Sequence, residues 1–186
     1  MIRICLVGGL GRMGKEIASA VTAEEDLEIT SVWEAPEVLA TAGDYAAVAG
    51  YGKNPVDLSS DGARAVGRAD VVVDFSLADA FARVVSACED LGKPLVSGTT
   101  AVEDKDSRLA GLASRVPVVS APNMSVGVNA LLSISRVLAG TIGKSSDIEI
   151  VEAHHRTKRD VPSGTALEIA RIIGDGTGKP VMVGRT

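Results

Sequence analysis

An α/β fold, a doubly wound parallel sheet followed by a smaller α+β domain, is what this sequence predicts, and three observations predict it. Continuous Val- and Ile-rich runs alternate with segments of helical apolar period, as in a sheet covered on both faces. A glycine-rich turn, "GGLGRMG", follows the first of those runs directly. After Ser125 the alternation ends, and one long helical stripe takes its place.

Taken in order, Ile2–Val7 reads as a buried strand and Gly14–Ala23 as a helix, with Glu28–Trp33 as a second strand. Residues 35–68, rich in Ala, Gly and Asp, read as a short helix and an irregular loop. "VVVDF" (Val71–Phe75) is a fully apolar strand but for its aspartate, followed by a helix over Leu77–Leu91. Strand Pro94–Ser97, helix Val102–Ala113 and strand Pro117–Ser120 continue the alternation. A domain junction is placed near Ser125, giving domains 1–124 and 125–186. In the second, Val126, Val128, Leu131, Leu132, Ile134, Val137 and Leu138 mark one helical stripe. A strand over Asp147–Ala153, a helix from about Gly164 to Ile173 and a short strand "PVMV" complete it.

Composition narrows the function classes. The chain of 186 residues is acidic, formally −5, which speaks against nucleic acid as the main partner. Aromatic content of 3% leaves little for stacking bases. No apolar run is read as reaching the roughly 20 residues that cross a bilayer, and the N-terminus is already a strand rather than a signal peptide. A cytoplasmic protein with two reduced core cysteines, Cys5 and Cys88, is therefore expected.

Gly8, Gly11 and Gly14 form G-x-x-G-x-x-G between a strand and a helix. Glycines there permit a tight turn and close approach of backbone to a pyrophosphate, which then meets free N–H groups at the helix start. Glu34 follows Gly14 by twenty residues at the end of the second strand, placed for the ribose hydroxyls of a dinucleotide. A merely structural turn and a surface glutamate are the competing reading. Ala35 stands where an arginine would favour the 2′-phosphate of NADP, so NADH is favoured; Arg12 and Lys15 keep NADPH open.

"EAHHRTKRDVPSGTALEI", residues 152–169, is a basic island in this acidic chain. Lys158 follows His155 by three residues and His154 by four. Ser163, Gly164 and Thr165 open the next helix, where unpaired N–H groups favour an anion. Imidazole, ammonium and helix start together suit a small acidic substrate and a proton transfer. Blander readings stay open: Thr165 and Glu168 fit a capping box, and the charges fit a solvated loop. A metal site is not expected, since adjacent histidines diverge and no further Cys or His stands nearby.

The island resembles the signature of the 4-hydroxy-tetrahydrodipicolinate reductase (dihydrodipicolinate reductase) family, E-x-H-H-x-x-K-x-D-x-P-S-G-T-A. "GLGRMG", "DFS" at Asp74–Ser76, "SGTT" at Ser97–Thr100 and "APNMSVGVN" at Ala121–Asn129 support it in order. The resemblance implies a Rossmann-type oxidoreductase of lysine and diaminopimelate biosynthesis, passing hydride from NADH or NADPH to a small cyclic dicarboxylate. It implies His154 as proton donor, Lys158 as its cationic partner, His155 at the substrate, and Ser163, Gly164 and Thr165 on a substrate carboxylate. Gly8, Gly11, Arg12, Met13, Gly14, Glu34, Phe75, Gly98, Thr99, Thr100, Pro122, Asn123 and Met124 would hold the cofactor. The family also implies a homotetramer, but the strands that build it are expected beyond "MVGRT", so 125–186 is expected to be a partial, truncated substrate domain. Two other functions fit the residues less well. One is another Rossmann-type reductase of a small acidic metabolite, calling for a Cys–His pair or a different lysine setting. The other is a nucleotide-binding remnant without turnover.

Overall fold

The computed structural model describes residues 1–41, 56–154, 156 and 162–184. They fall into two compact units, Met1–Ala121 and Pro122–Thr186.

In the first unit, β1 (Ile2–Val7), α1 (Arg12–Ala23) and β2 (Leu27–Trp33) come first. The short α2 (Pro36–Leu39), β3 (Asp57–Ser59) and α3 (Gly62–Gly67) follow. Then come β4 (Val71–Asp74), α4 (Phe81–Leu91), β5 (Leu95–Ser97), α5 (Lys105–Ala113) and β6 (Val118–Ser120). All pairings are parallel, and the six strands lie in the order β3-β2-β1-β4-β5-β6. The order reverses between β1 and β4. In such sheets ligands bind beyond the carboxyl ends of the strands at this switch point.

Strand period divides the core. Ile4 and Leu6 point to one face with Ala18 and Val21 of α1, while Cys5 and Val7 point to the other with α3, α4 and α5. Both cysteines are buried and unpaired by disulfide, and burial pushes their thiols up, Cys5 to about 11 and Cys88 to about 12. They are core residues, as expected.

The doubly wound sheet is as the sequence predicts, but several boundaries move. The helix expected from Leu77 begins at Phe81, because the buried stripe is Phe81, Val84, Val85 and Cys88, and Leu77 lies outside it, exposed. The helix expected from Val102 begins at Lys105, since Asp104 takes a left-handed φ of 53° that no helix continues through. Strand β3 and helix α3 arise within 35–68, beyond the short helix and loop expected there. Asp61 caps α3 by accepting from the Arg64 N–H, and the Trp33 ring fills the space a Cβ on Gly62 would need. Residues 42–55 of that stretch lie outside those described.

In the second unit, α6 (Val126–Ile142) is capped by Ser125, whose hydroxyl accepts from the Val128 N–H, and runs into a 3₁₀ turn at Gly143–Ser145. Helix α7 (Gly164–Thr177) is capped by Ser163, which accepts from the Ala166 N–H. The cap is thus Ser163 rather than Thr165 of the capping box, and Glu168 instead pairs with Arg171 at 2.7 Å. Helix α7 also outruns its expected end at Ile173. Gly174 and Gly176 lie inside it, because a Cβ on Gly176 would come within 2.9 Å of Ala139 Cβ on α6. Only Gly178, left-handed at φ 71°, stops it.

Two expectations for this unit are corrected. Asp147–Ala153 and "PVMV" form no ladder among the described residues. Apolar alternation belongs to one segment, whereas a strand needs hydrogen bonds from a second; Val151 stands 90% exposed. The bilayer expectation also fails on length. With its 3₁₀ turn, Val126–Ser145 reaches 20 residues at mean hydropathy 1.4, long and apolar enough to cross a bilayer by length and composition alone. Arg136 at its centre would be costly in hydrocarbon, and the helix packs along α7.

Candidate active site

The glycine turn leaves β1 at the switch point. Gly8 has a φ of 76°, and its backbone lies so near β4's end that a Cβ would sit 2.9 Å from Phe75 O. Gly11 is the N-cap of α1, with no side-chain cap and no acid in the first turn, so the N–H groups of Arg12 and Met13 open on solvent. A Cβ on Gly14 would come within 2.4 Å of Gly8 O and Gly9 Cα. The turn and α1 are therefore pressed together as a close-approach cradle for pyrophosphate requires. Gly14→Ala is expected to lose about 1–3 kcal/mol of stability and to weaken dinucleotide binding, read by calorimetric titration.

Glu34 directly follows β2, half-buried, and its Oε1 accepts from the Leu10 N–H at 2.6 Å. Burial raises its carboxyl above the usual range, opposed by backbone hydrogen bonds from Leu10 and Ala35. Oε1 thus ties the end of β2 to the glycine turn.

Sequence reasoning missed a hub at the end of β4. Asp74 is fully buried, and four donors converge on it. They are the Ser76 N–H at 3.1 Å, Ser76 Oγ at 2.6 Å, Ser97 Oγ at 3.1 Å and Thr99 Oγ1 at 2.8 Å. Its carbonyl accepts from the Gly98 N–H at 2.9 Å. Gly98 is needed here because a Cβ would lie 2.2 Å from the Phe75 ring. Lys105 Nζ donates to Thr99 O and lies 5.5 Å from the Phe81 ring centre, its ammonium lowered by burial. Phe75, Gly98 and Thr99 are so brought together, with Thr100 exposed beside them and Ala101 strained at φ 58°. The available signal was one aspartate closing an otherwise apolar strand.

The second unit gathers other predicted residues. Glu152 accepts from the Ser163 N–H at 2.9 Å and from Ser163 Oγ, and meets His154 Nε2 at 2.8 Å. These hydrogen bonds, the Ser163 hydroxyl foremost and then His154, hold its carboxyl down at about 2. The Gly164 and Thr165 N–H groups have no acceptor among the described residues. Asn123 Nδ2 donates to Thr165 Oγ1 at 3.4 Å, and its Oδ1 accepts from the Ser125 N–H. Pro122 and Met124 flank it, exposed. Among the described residues no three of His, Cys, Asp or Glu gather as metal ligands. His155 and Lys158 lie outside the described residues.

A family model described as dihydrodipicolinate reductase, N-terminus, matches residues 2–124, and one described as dihydrodipicolinate reductase, C-terminus, matches residues 127–183. The chain belongs to the dihydrodipicolinate reductase family. It is 39% identical over 180 residues to the 4-hydroxy-tetrahydrodipicolinate reductase of Hahella chejuensis, covering 96% of this chain and 67% of that one. To the reductase of the same name from an Anaeromyxobacter species it is 41% identical over 181 residues, covering 96% of this chain and 66% of the relative. A dipicolinate-bound dihydrodipicolinate reductase from Paenisporosarcina sp. TG-14 shares the fold, with a TM-score of 0.74 at 24% identity, covering 94% of this chain and 66% of its own. The chain thus spans about two thirds of the length of these relatives. The family drawn from the motifs is borne out, and with it the Rossmann-type fold and an oxidoreductase function in lysine and diaminopimelate biosynthesis. Family and fold indicate a nicotinamide dinucleotide as the cofactor class.

Proposed function

We propose that this chain itself reduces 4-hydroxy-tetrahydrodipicolinate to tetrahydrodipicolinate, with residues 1–124 holding the cofactor and 125–186 the substrate and proton donor. The observation that carries this is the joining of three motif residues, His154, Glu152 and Ser163, at the N-terminus of a helix whose first N–H groups have no acceptor among the described residues. The cradle at Gly8, Gly11 and Gly14, where a Cβ would clash, fits a dinucleotide, as does the half-buried Glu34 carboxylate beside it. Arg12 and Met13 would face the pyrophosphate, and Phe75, Gly98, Thr99, Thr100, Pro122, Asn123 and Met124 the nicotinamide end. When bound, the cofactor supplies hydride. The chain's own task is to bind a dicarboxylate, orient it and deliver a proton. The Gly164 and Thr165 N–H groups and the α7 dipole hold one substrate carboxylate beside Ser163. His154 gives the proton, His155 lines the substrate, and the Lys158 ammonium offsets negative charge as it develops. We place this activity in the cytoplasm.

For the cofactor we propose NADH over NADPH, because Glu34 presents its oxygen where a 2′-phosphate would be repelled and Ala35 supplies no cation. The single tryptophan, Trp33, adjoins Glu34 and serves as an energy-transfer donor to a bound reduced nicotinamide. Titrating both cofactors by this signal should give a lower Kd for NADH, and a ten-fold tighter NADPH would overturn the preference. Turnover of either cofactor with enzymatically generated substrate tests the function. Tight cofactor binding without turnover would favour the nucleotide-binding remnant instead.

A further inference from the structure

We infer that Glu152 is a positioning residue which fixes His154 with Nε2–H on its carboxylate, so that Nδ1 is the nitrogen that hands over the proton. The inference rests on the reading of His154 as proton donor and names the device that sets it up.

Glu152 stands between two parts of the proposed chemistry. Its Oε1 accepts from the Ser163 N–H at 2.9 Å, and its Oε2 accepts from Ser163 Oγ and lies 2.8 Å from His154 Nε2. A carboxyl held down at about 2 is ionised at neutral pH and can only accept, so the imidazole nitrogen facing it must carry hydrogen. A neutral His154 is then the Nε2–H tautomer, and its Nδ1 lone pair is the site that gains and releases a proton. The same carboxylate grips the first residue of the α7 cap. Ser163, 5% exposed, is fully engaged: its hydroxyl donates to Glu152 and accepts from the Ala166 N–H. It therefore leaves substrate recognition to the next two N–H groups, at Gly164 and Thr165. One side chain in this way sets the spacing between the proton donor and the carboxylate-binding helix start. That is the logic by which an acid orients a catalytic histidine, with the ring nitrogens exchanged.

Glu152→Gln tests it. A single amide oxygen cannot accept at both places. If it stays on the rigid Ser163 N–H, the amide NH₂ faces His154 Nε2 and demands a lone pair there, which inverts the tautomer. The chain has two histidines, so ring ¹⁵N–¹H NMR of the 186-residue chain is readily resolved once His155→Gln assigns the signals. Wild type should show Nε2–H for His154 and Glu152→Gln should show Nδ1–H. The variant's kcat should fall about ten-fold or more while substrate KM changes less than about three-fold. Glu152→Asp, which keeps a carboxylate, should retain the Nε2–H tautomer and restore most of the rate. Circular dichroism confirms that each variant is folded. Nδ1–H in the wild type, or the same tautomer and kcat in Glu152→Gln, overturns the inference. Wild-type turnover is judged separately: its absence counts against the proposed function, while the ring tautomer still decides the role of Glu152.

Discussion

His154→Ala is expected to lower kcat by about 100-fold, at the low end of what a positioned general acid contributes. Lys158→Ala should cost more than ten-fold, or about 1.4 kcal/mol of barrier. The two losses have different origins. His154 supplies a proton to the reacting group, so its removal should flatten one limb of the pH–rate profile and leave cofactor Kd unchanged. Lys158 offsets developing negative charge, so its removal should lower kcat across the profile. If both serve one transition state, the double variant should fall by less than the product of the single effects. Steady-state kinetics of the three variants against wild type give the answer. Wild-type rates in both single variants would remove the site from the basic island altogether.

What could be read from residues alone follows from how local each signal is. The sheet was legible because its central strands are largely covered on both faces and carry unbroken apolar runs, as in Ile4–Val7 and Val71–Val73. The glycine turn was legible because backbone crowding at Gly8 and Gly14 tolerates no other residue. Helix starts were less so. Leu77 looks like part of a stripe, and only packing reveals that Phe81 begins it. Strand β3 was missed because three residues, one of them buried, carry no period. In the second unit the apolar runs at 147–153 and 180–183 have the alternation of strands but no partner among the described residues, and partnership is not written in one segment. The Asp74 and Glu152 clusters escaped for a related reason. Each joins residues up to 25 and 11 positions apart, respectively, through side-chain hydrogen bonds that no spacing rule reports.

Asp74→Ala is expected to cost about 3–5 kcal/mol of stability in the first unit, the largest effect of any single change at the nucleotide end of the sheet. Asp74 is fully buried and accepts from Ser76, Ser97 and Thr99, of which Ser97 is fully buried and Thr99 only 3% exposed. Truncation leaves the Ser97 hydroxyl without its acceptor and Thr99 Oγ1 with only its longer contact to Ser76 O at 3.3 Å, and each buried unpaired donor costs about 1–3 kcal/mol. Asp74→Asn should cost about half as much, because its remaining oxygen can still serve Ser76 while its amide cannot accept from Ser97 and Thr99. Trp33 fluorescence reports unfolding of this unit alone, so the urea midpoint at unchanged m-value gives the difference directly. The same variants separate packing from function. Thr99 is also held through its carbonyl by Lys105, and the loop from Ser97 to Thr99 carries Gly98 against the Phe75 ring. If Asp74 shapes that loop for the nicotinamide end of a cofactor, Asp74→Asn should weaken NADH binding about ten-fold at a temperature where the unit is still folded. Lys105→Met should weaken it further only while Asp74 is intact, since the two hold one loop. A lowered urea midpoint with unaltered Kd would confine Asp74 to the core, and an unaltered midpoint would mean that its four donors find water instead.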